Sequence, residues 1–124
     1  LPLLQGEIVI LRVTARLDCE YEWGVHVAAF ASRAEFSPDQ IHATRLGDPD
    51  APCWPPQESL LIRVVDELCD TGRVSGPELA LFQEAWTLEQ QLEILALCGA
   101  YHTISFVANT AQLPPEPFGE RFPG

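Results

Sequence analysis

The segment from Cys19 to His26 contains three side chains that can take part in chemistry, in the order Cys-Glu-Tyr-Glu-Trp-Gly-Val-His. On a helix, residues three and four positions apart are neighbours, so Cys19, Glu22 and His26 would share one stripe. That stripe would bring together a thiol, a carboxylate and an imidazole, which are costly to bury unless they are paired. The segment is therefore the candidate catalytic site.

Proton transfer is the chemistry that this segment favours, because a carboxylate beside an imidazole is a common general acid/base arrangement. Glu22 would orient and polarise His26, His26 would exchange a proton with the substrate, and Glu7 would complete the site. Each residue also has a purely structural interpretation. Glu7 could complement a helix N-terminus, Glu22 could lie on a solvated first turn, and His26 could be a hydrogen-bonded core histidine.

Thiol chemistry at Cys19 is a second hypothesis, since a helix start stabilises a thiolate. Glu20 and Glu22 are negatively charged and would disfavour a thiolate, so Cys19 is either a one-cysteine peroxidase centre or an inert small residue.

A divalent cation is a third possibility at Glu7, Glu22 and His26, but three ligands with one histidine are a weak signal. We expect no metal and no cofactor.

The composition bounds the fold and the partners. A chain of 124 residues with 47% hydrophobic residues is expected to form a single domain over residues 1–124. The net charge of -11, with seven arginines and no lysine, argues against nucleic acid or an anionic membrane as partner. No run reaches the ~18 uninterrupted apolar residues of a membrane helix.

Two further expectations concern the chain ends and the cysteines. Because the sequence begins at Leu1 without an initiator Met, we expect that an N-terminal segment precedes it. The four cysteines form no CxxC pair and match no common zinc spacing. They therefore indicate a cytoplasmic protein with reduced thiols, at positions Cys19, Cys53, Cys69 and Cys98.

Helical periodicity and capping signals predict an all-α fold of about six helices. The expected helices are residues 7–17, 19–33, 37–45, 57–70, 75–85 and 87–112. Asp18 is the expected cap of the second helix, and capping-box patterns begin at Ser37, Ser75 and Thr87. Four prolines in residues 47–56 predict a loop.

The final helix is apolar almost all round from Leu92 to Val107, which is typical of a core or subunit-interface helix. A polar stripe runs along it through Cys98, His102, Ser105 and Asn109, with Tyr101 beside it. These groups are either satisfied core residues or the pocket wall opposite His26. Trp23, Tyr101 and His102 are accordingly the predicted substrate-binding residues.

The pattern of Glu7, Cys19, Glu22 and His26 resembles the carboxymuconolactone decarboxylase and AhpD-like alkylhydroperoxidase superfamily. The later sequence Gly-Ala-Tyr-His at 99–102, followed by Asn109 and Leu-Pro at 113–114, is also similar to it. The resemblance covers essentially the whole chain. It implies an AhpD-like helical fold that assembles into trimers or hexamers.

The resemblance also implies which branch of the family the chain is similar to. In the peroxidase branch, Glu7 matches the upstream glutamate, Cys19 the first cysteine of a CxxC pair, and His26 the histidine. Glu22 replaces the second cysteine, so that no disulfide can form within the motif. The resemblance therefore favours decarboxylase-like proton transfer on a small organic acid or lactone, with peroxidase activity through Cys19 as the alternative. A non-catalytic oligomer that binds a small molecule is a further alternative.

Overall fold

The computed structural model describes all of residues 1–124 and contains six helices and no strand. The prediction of an all-α fold with about six helices is thereby confirmed. In chain order the helices are α1 (Leu3–Arg16), α2 (Glu20–Phe30), α3 (Pro38–Leu46), α4 (Pro56–Thr71), α5 (Gly76–Ala85) and α6 (Leu88–Thr110).

Helix α1 lies at the centre and packs against α2, α3, α4 and α6. Its apolar residues occupy nearly every face, and Ile8, Val9 and Val13 are completely buried. It begins four residues earlier than predicted, so that Glu7 lies within the helix, buried, rather than at its N-terminus. A role for Glu7 in complementing the helix dipole is therefore excluded.

A buried arginine joins α1 to two other helices. The Arg12 guanidinium donates to both carboxylate oxygens of Asp66 in α4, at 2.7 and 2.9 Å. It also donates to backbone carbonyls at the end of α3, at 2.8 Å to Gly47 O and 3.2 Å to Thr44 O. Breaking such a buried pair costs about 3–5 kcal/mol, because the remaining charge is left uncompensated.

Two of the three predicted capping boxes are present. The Ser37 hydroxyl accepts a hydrogen bond from the Gln40 backbone N–H, and the Gln40 side chain accepts one from the Ser37 backbone N–H. Thr87 and Gln90 form the same reciprocal pair of hydrogen bonds. The third prediction is wrong, because the Ser75 hydroxyl instead donates to Glu67 of α4 at 2.7 Å. Asp18 does not cap α2 either: its backbone is left-handed at φ 53° and its carboxylate pairs with Arg45.

The C-terminal tail packs across α2. The Glu120 N–H donates to Gly24 O at 3.1 Å, and any side chain at position 24 would collide with the Glu120 carbonyl. The Tyr21 hydroxyl donates to Glu116 at 2.8 Å, and the Phe122 ring packs on Trp23. This contact explains why α2 has little exposed surface along its N-terminal half. The helix ends at Phe30, earlier than the predicted end near residue 33.

Helix α6 buries one face against α1 and leaves the other exposed. The outward face is apolar, with Leu88, Leu92, Phe106 and Val107 each more than half exposed. By length and composition alone α6 could cross a membrane, with mean hydropathy 1.2 in its most apolar window and 22% of that window buried. Such a helix is a weak indicator of membrane insertion, because core helices have the same composition.

Candidate active site

Three helices converge on the side chain of His26. Its Nδ1 atom lies 3.0 Å from Oε2 and 3.3 Å from Oε1 of Glu7, which projects from α1. Its Nε2 atom lies 3.1 Å from the Tyr101 hydroxyl of α6. The structure therefore brings Glu7, His26 and Tyr101 together in one hydrogen-bonded chain.

The geometry of the chain fixes the direction of its hydrogen bonds. A carboxylate can only accept, so Nδ1 carries the proton that points to Glu7. In the neutral ring Nε2 then holds the free lone pair, which accepts from the Tyr101 O–H. This is the arrangement in which a carboxylate selects the tautomer of a catalytic histidine.

Glu22 occupies the position that the helical spacing predicts. Its Oε2 atom lies 3.7 Å from His26 Nε2, one turn earlier on α2. This is an ion-pair distance rather than a hydrogen bond. Positive charge on the imidazole would thus be shared between Glu7 at Nδ1 and Glu22 near Nε2.

Tyr101 is the polar member of the chain that is held in its neutral form. Burial raises the pKa of the Tyr101 hydroxyl above its ordinary value, and the negative charges of Glu22 and Glu7 raise it further. The hydroxyl is therefore a hydrogen-bond donor throughout the physiological pH range. Its ring meets the imidazole edge-on, with the centroids 5.2 Å apart.

An apolar wall beside the imidazole was not among the features predicted from the sequence. The Phe30 ring lies 5.2 Å from the His26 ring, and the Arg33 guanidinium lies 5.5 Å from the Phe30 centroid. The spacing of His26 and Phe30 by one helical turn could have predicted this contact.

Neither Arg12 nor Arg16 is free to bind a substrate anion, because both pair with Asp66.

The other predicted site residues have contacts elsewhere. Cys19 is fully buried at the start of α2, and its thiol caps no backbone group. The Trp23 indole donates to the Thr44 hydroxyl at 3.0 Å and lines a cavity of about 280 Å³ beneath the C-terminal tail. The His102 imidazole donates from Nδ1 to the Cys98 carbonyl at 2.7 Å, apart from the His26 chain.

The polar stripe of α6 is divided among different neighbours. Tyr101, rather than the stripe beside it, faces His26. Asn109 donates to Leu17 O at 2.9 Å, while the Ser105 hydroxyl is buried without a partner. Nowhere do three His, Cys, Asp or Glu side chains come together in a way that could hold a metal ion.

Comparisons with other proteins leave the family open. No protein-family model, curated protein or solved structure matches this chain. The resemblance to the carboxymuconolactone decarboxylase superfamily thus rests on the residues of the sequence.

The pairing of Glu7 with His26 predicts a specific pattern of stabilities. His26→Leu should lower the free energy of unfolding by about 3 kcal/mol, because it leaves a buried carboxylate without its donor. Adding Glu7→Gln should restore about 1 kcal/mol or more, since a neutral amide is cheaper to bury than a carboxylate.

Urea unfolding monitored by tryptophan fluorescence measures this effect. The matched control is His42→Leu, at an exposed histidine on α3, which should change stability by about 0.5 kcal/mol or less. A double variant no more stable than His26→Leu would show that Glu7 and His26 are not energetically coupled.

Proposed function

We propose that the protein is an enzyme that moves a proton on a small organic acid or lactone, with His26 as the acid/base group. The observation that carries this proposal is the chain Glu7–His26–Tyr101, in which three separate helices hold one imidazole. We further propose that the chain is a divergent, cytoplasmic member of the carboxymuconolactone decarboxylase-like family with an AhpD-like fold.

The hydrogen-bonded chain Glu7–His26–Tyr101 supports a simple division of roles. His26 Nε2 takes a proton from the carbon next to a substrate carbonyl, and the electron pair of that C–H bond moves onto the carbonyl oxygen. The Tyr101 O–H donates to that oxygen and stabilises its charge. Glu7 stabilises the imidazolium through Nδ1, and Glu22 does so from the other side of the ring.

A substrate can reach Nε2 of His26 only if the Tyr101 hydroxyl gives up its hydrogen bond to that atom. None of the five principal cavities is lined by Glu7, Glu22, His26 or Tyr101. Tyr101 is only half-buried, whereas Glu7 and His26 are 5% and 9% exposed. The Tyr101 hydroxyl is therefore the group that leaves Nε2 when a substrate arrives, and it then donates to the substrate oxygen.

Two alternative functions differ in their support. Peroxidase activity through Cys19 is disfavoured by the complete burial of that thiol, since a reactive cysteine must meet its oxidant.

A non-catalytic role in binding a small molecule is favoured by the cavity beside Trp23, whose walls include His42 and Arg121. Ligand binding without turnover, seen as a rise in Tm, would identify that second role.

Hydrogen exchange in D₂O tests the catalytic proposal without requiring the natural substrate. A panel of small oxo acids and lactones is incubated with the protein, and loss of the hydrogen next to the carbonyl is followed by proton NMR. We expect His26→Ala to slow exchange by about 10²–10⁴-fold. Tyr101→Phe should slow it by about 10²-fold, through loss of the oxyanion donor.

Matched variants separate chemistry from folding. Tyr21→Phe and His42→Ala change the same residue types outside the hydrogen-bonded chain Glu7–His26–Tyr101. Both variants should catalyse hydrogen exchange at the wild-type rate. Exchange that survives His26→Ala unchanged would exclude His26 as the acid/base group.

We also propose that the protein is a homo-oligomer, a trimer or hexamer, that uses the outward face of α6. Its support is the set of apolar side chains that this face exposes, including Leu92 at 57% and Phe106 at 57%. Contiguous exposed apolar surface of this kind commonly marks a protein–protein contact.

Light scattering tests the oligomer. The wild-type mass should be three or six times the monomer mass of 13.7 kDa. Leu92→Asp with Phe106→Asp should reduce it to the monomer mass, because burying two carboxylates in an apolar contact is unfavourable. Leu46→Asp, at a leucine of similar exposure on α3, should leave the mass unchanged. A monomeric wild type would exclude the oligomer.

A further inference from the structure

Arg33 is one of two arginines in the chain that form no ion pair. The sequence has 18 acidic residues and seven basic ones, so carboxylates are plentiful for every guanidinium. Five arginines do pair with a carboxylate, namely Arg12, Arg16, Arg45, Arg63 and Arg121. Arg33 and Arg73 do not, and of these two Arg33 is the one that lies close to the candidate active site.

The Arg33 guanidinium is placed by an aromatic ring. Its Cζ atom lies 5.5 Å from the centroid of Phe30, which is within the range of a cation–π contact. Phe30 is the last residue of α2 and is half-buried, whereas Arg33 is exposed in the turn that follows. The ring contact restrains the guanidinium at the surface without using its N–H donors, which remain available to an acceptor.

The same ring contacts the proposed acid/base group. The Phe30 and His26 rings have their centroids 5.2 Å apart and are tilted by 32° to each other. The two residues are one helical turn apart on α2. The imidazole and the guanidinium are therefore both neighbours of Phe30, and an apolar surface joins them.

The negative charges near His26 lie elsewhere around its ring. Glu7 contacts Nδ1 at 3.0 Å, and Oε2 of Glu22 lies 3.7 Å from Nε2. A substrate carboxylate beside Nε2 would be repelled by both. Glu22 belongs to the first turn of α2, whereas Arg33 follows the last turn, so a carboxylate on Arg33 is at the opposite end of the helix from Glu22.

We propose that Arg33 binds the carboxylate of an acid substrate, while the Phe30 ring contacts the chain that links this carboxylate to the carbon that His26 deprotonates. The proposal rests on the proton-transfer function of His26 and narrows its substrate class. Seven residues separate His26 from Arg33, which corresponds to about 10 Å along a helix axis. The substrate is therefore an acid whose carboxylate lies several bonds from the reacting carbon.

Hydrogen exchange of levulinate and its uncharged methyl ester in D₂O tests the proposal, because the carboxylate of levulinate is remote from its carbonyl. Arg33→Gln should lower kcat/KM for levulinate by about five- to tenfold, mainly through KM, since an exposed ion pair contributes modestly and a bidentate one more. The methyl ester should exchange at the same rate in both proteins.

Two further comparisons follow from the geometry. Arg33→Lys should retain part of the preference for levulinate, because the charge remains but the bidentate contact is lost. Pyruvate has its carboxylate next to the carbonyl and cannot extend from Nε2 to Arg33. Its exchange should therefore be less affected by Arg33→Gln than that of levulinate.

Arg73→Gln is the matched control. Arg73 is also exposed and without an ion pair, and it follows α4 rather than α2. The substitution changes the net charge by the same amount, and the ratio of levulinate to methyl ester exchange should stay at the wild-type value. An equal fall of that ratio in both variants would show a general effect of net charge and would overturn the proposal.

The outcomes separate this proposal from the proton-transfer function. Exchange that is lost in His26→Ala but keeps its acid-to-ester ratio in Arg33→Gln would overturn the carboxylate site alone. If no compound exchanges, the proton-transfer function fails, and an NMR titration with levulinate decides the carboxylate site. Arg33→Gln should then raise the Kd by about fivefold or more. An equal Kd in the variant and the wild type, or no binding to the wild type, would overturn it.

Discussion

The structure depends on the pairing of polar side chains that α1 carries into the centre of the bundle. Gln5 accepts from the Trp86 indole at 3.0 Å and donates to Glu58. Glu7 pairs with His26, and Arg12 forms a bidentate pair with Asp66. Unpaired, each of these groups would cost a substantial part of the stability of a domain of this size. The surrounding helices must therefore be arranged so that every one of them finds its partner.

This constraint also makes the candidate site rigid. Glu7 is fixed because α1 is packed on nearly all sides, and the imidazole of His26 is held between Glu7 and Tyr101. A catalytic group is most effective when surrounding residues hold its orientation before the substrate arrives. The buried hydrogen bond between Glu7 and His26 thus both stabilises the fold and sets the orientation of the proposed acid/base group.

Local sequence signals predicted local features. The largely apolar run of residues 7–17 favoured a mostly buried helix, and the capping boxes at Ser37 and Thr87 identified two helix starts correctly. Ser75 has the same pattern but fails, because Glu67 on the preceding helix competes for its hydroxyl. Helical spacing likewise placed Glu22 near His26. Signals that depend on a single helix were reliable where no tertiary contact intervened.

Contacts between helices were beyond the reach of such signals. Spacing cannot show that Tyr101 rather than His102 faces His26, since neighbouring residues on α6 differ in direction by about 100° and only packing selects one. The sequence placed Glu7 in the candidate site without identifying the atom it contacts, whereas the structure shows it 3.0 Å from Nδ1 of His26.

The most direct test of this account is the protonation of the two ring nitrogens of His26, measured by nitrogen-15 NMR at a pH where the ring is neutral. The account predicts that Nδ1 carries the proton and Nε2 the lone pair, and that Glu7→Gln weakens this preference. His26→Gln assigns the signals, and the exposed His42 gives the reference for an unconstrained ring. A proton on Nε2, or a mixture of tautomers like that of His42, would contradict the claim that Glu7 orients the imidazole.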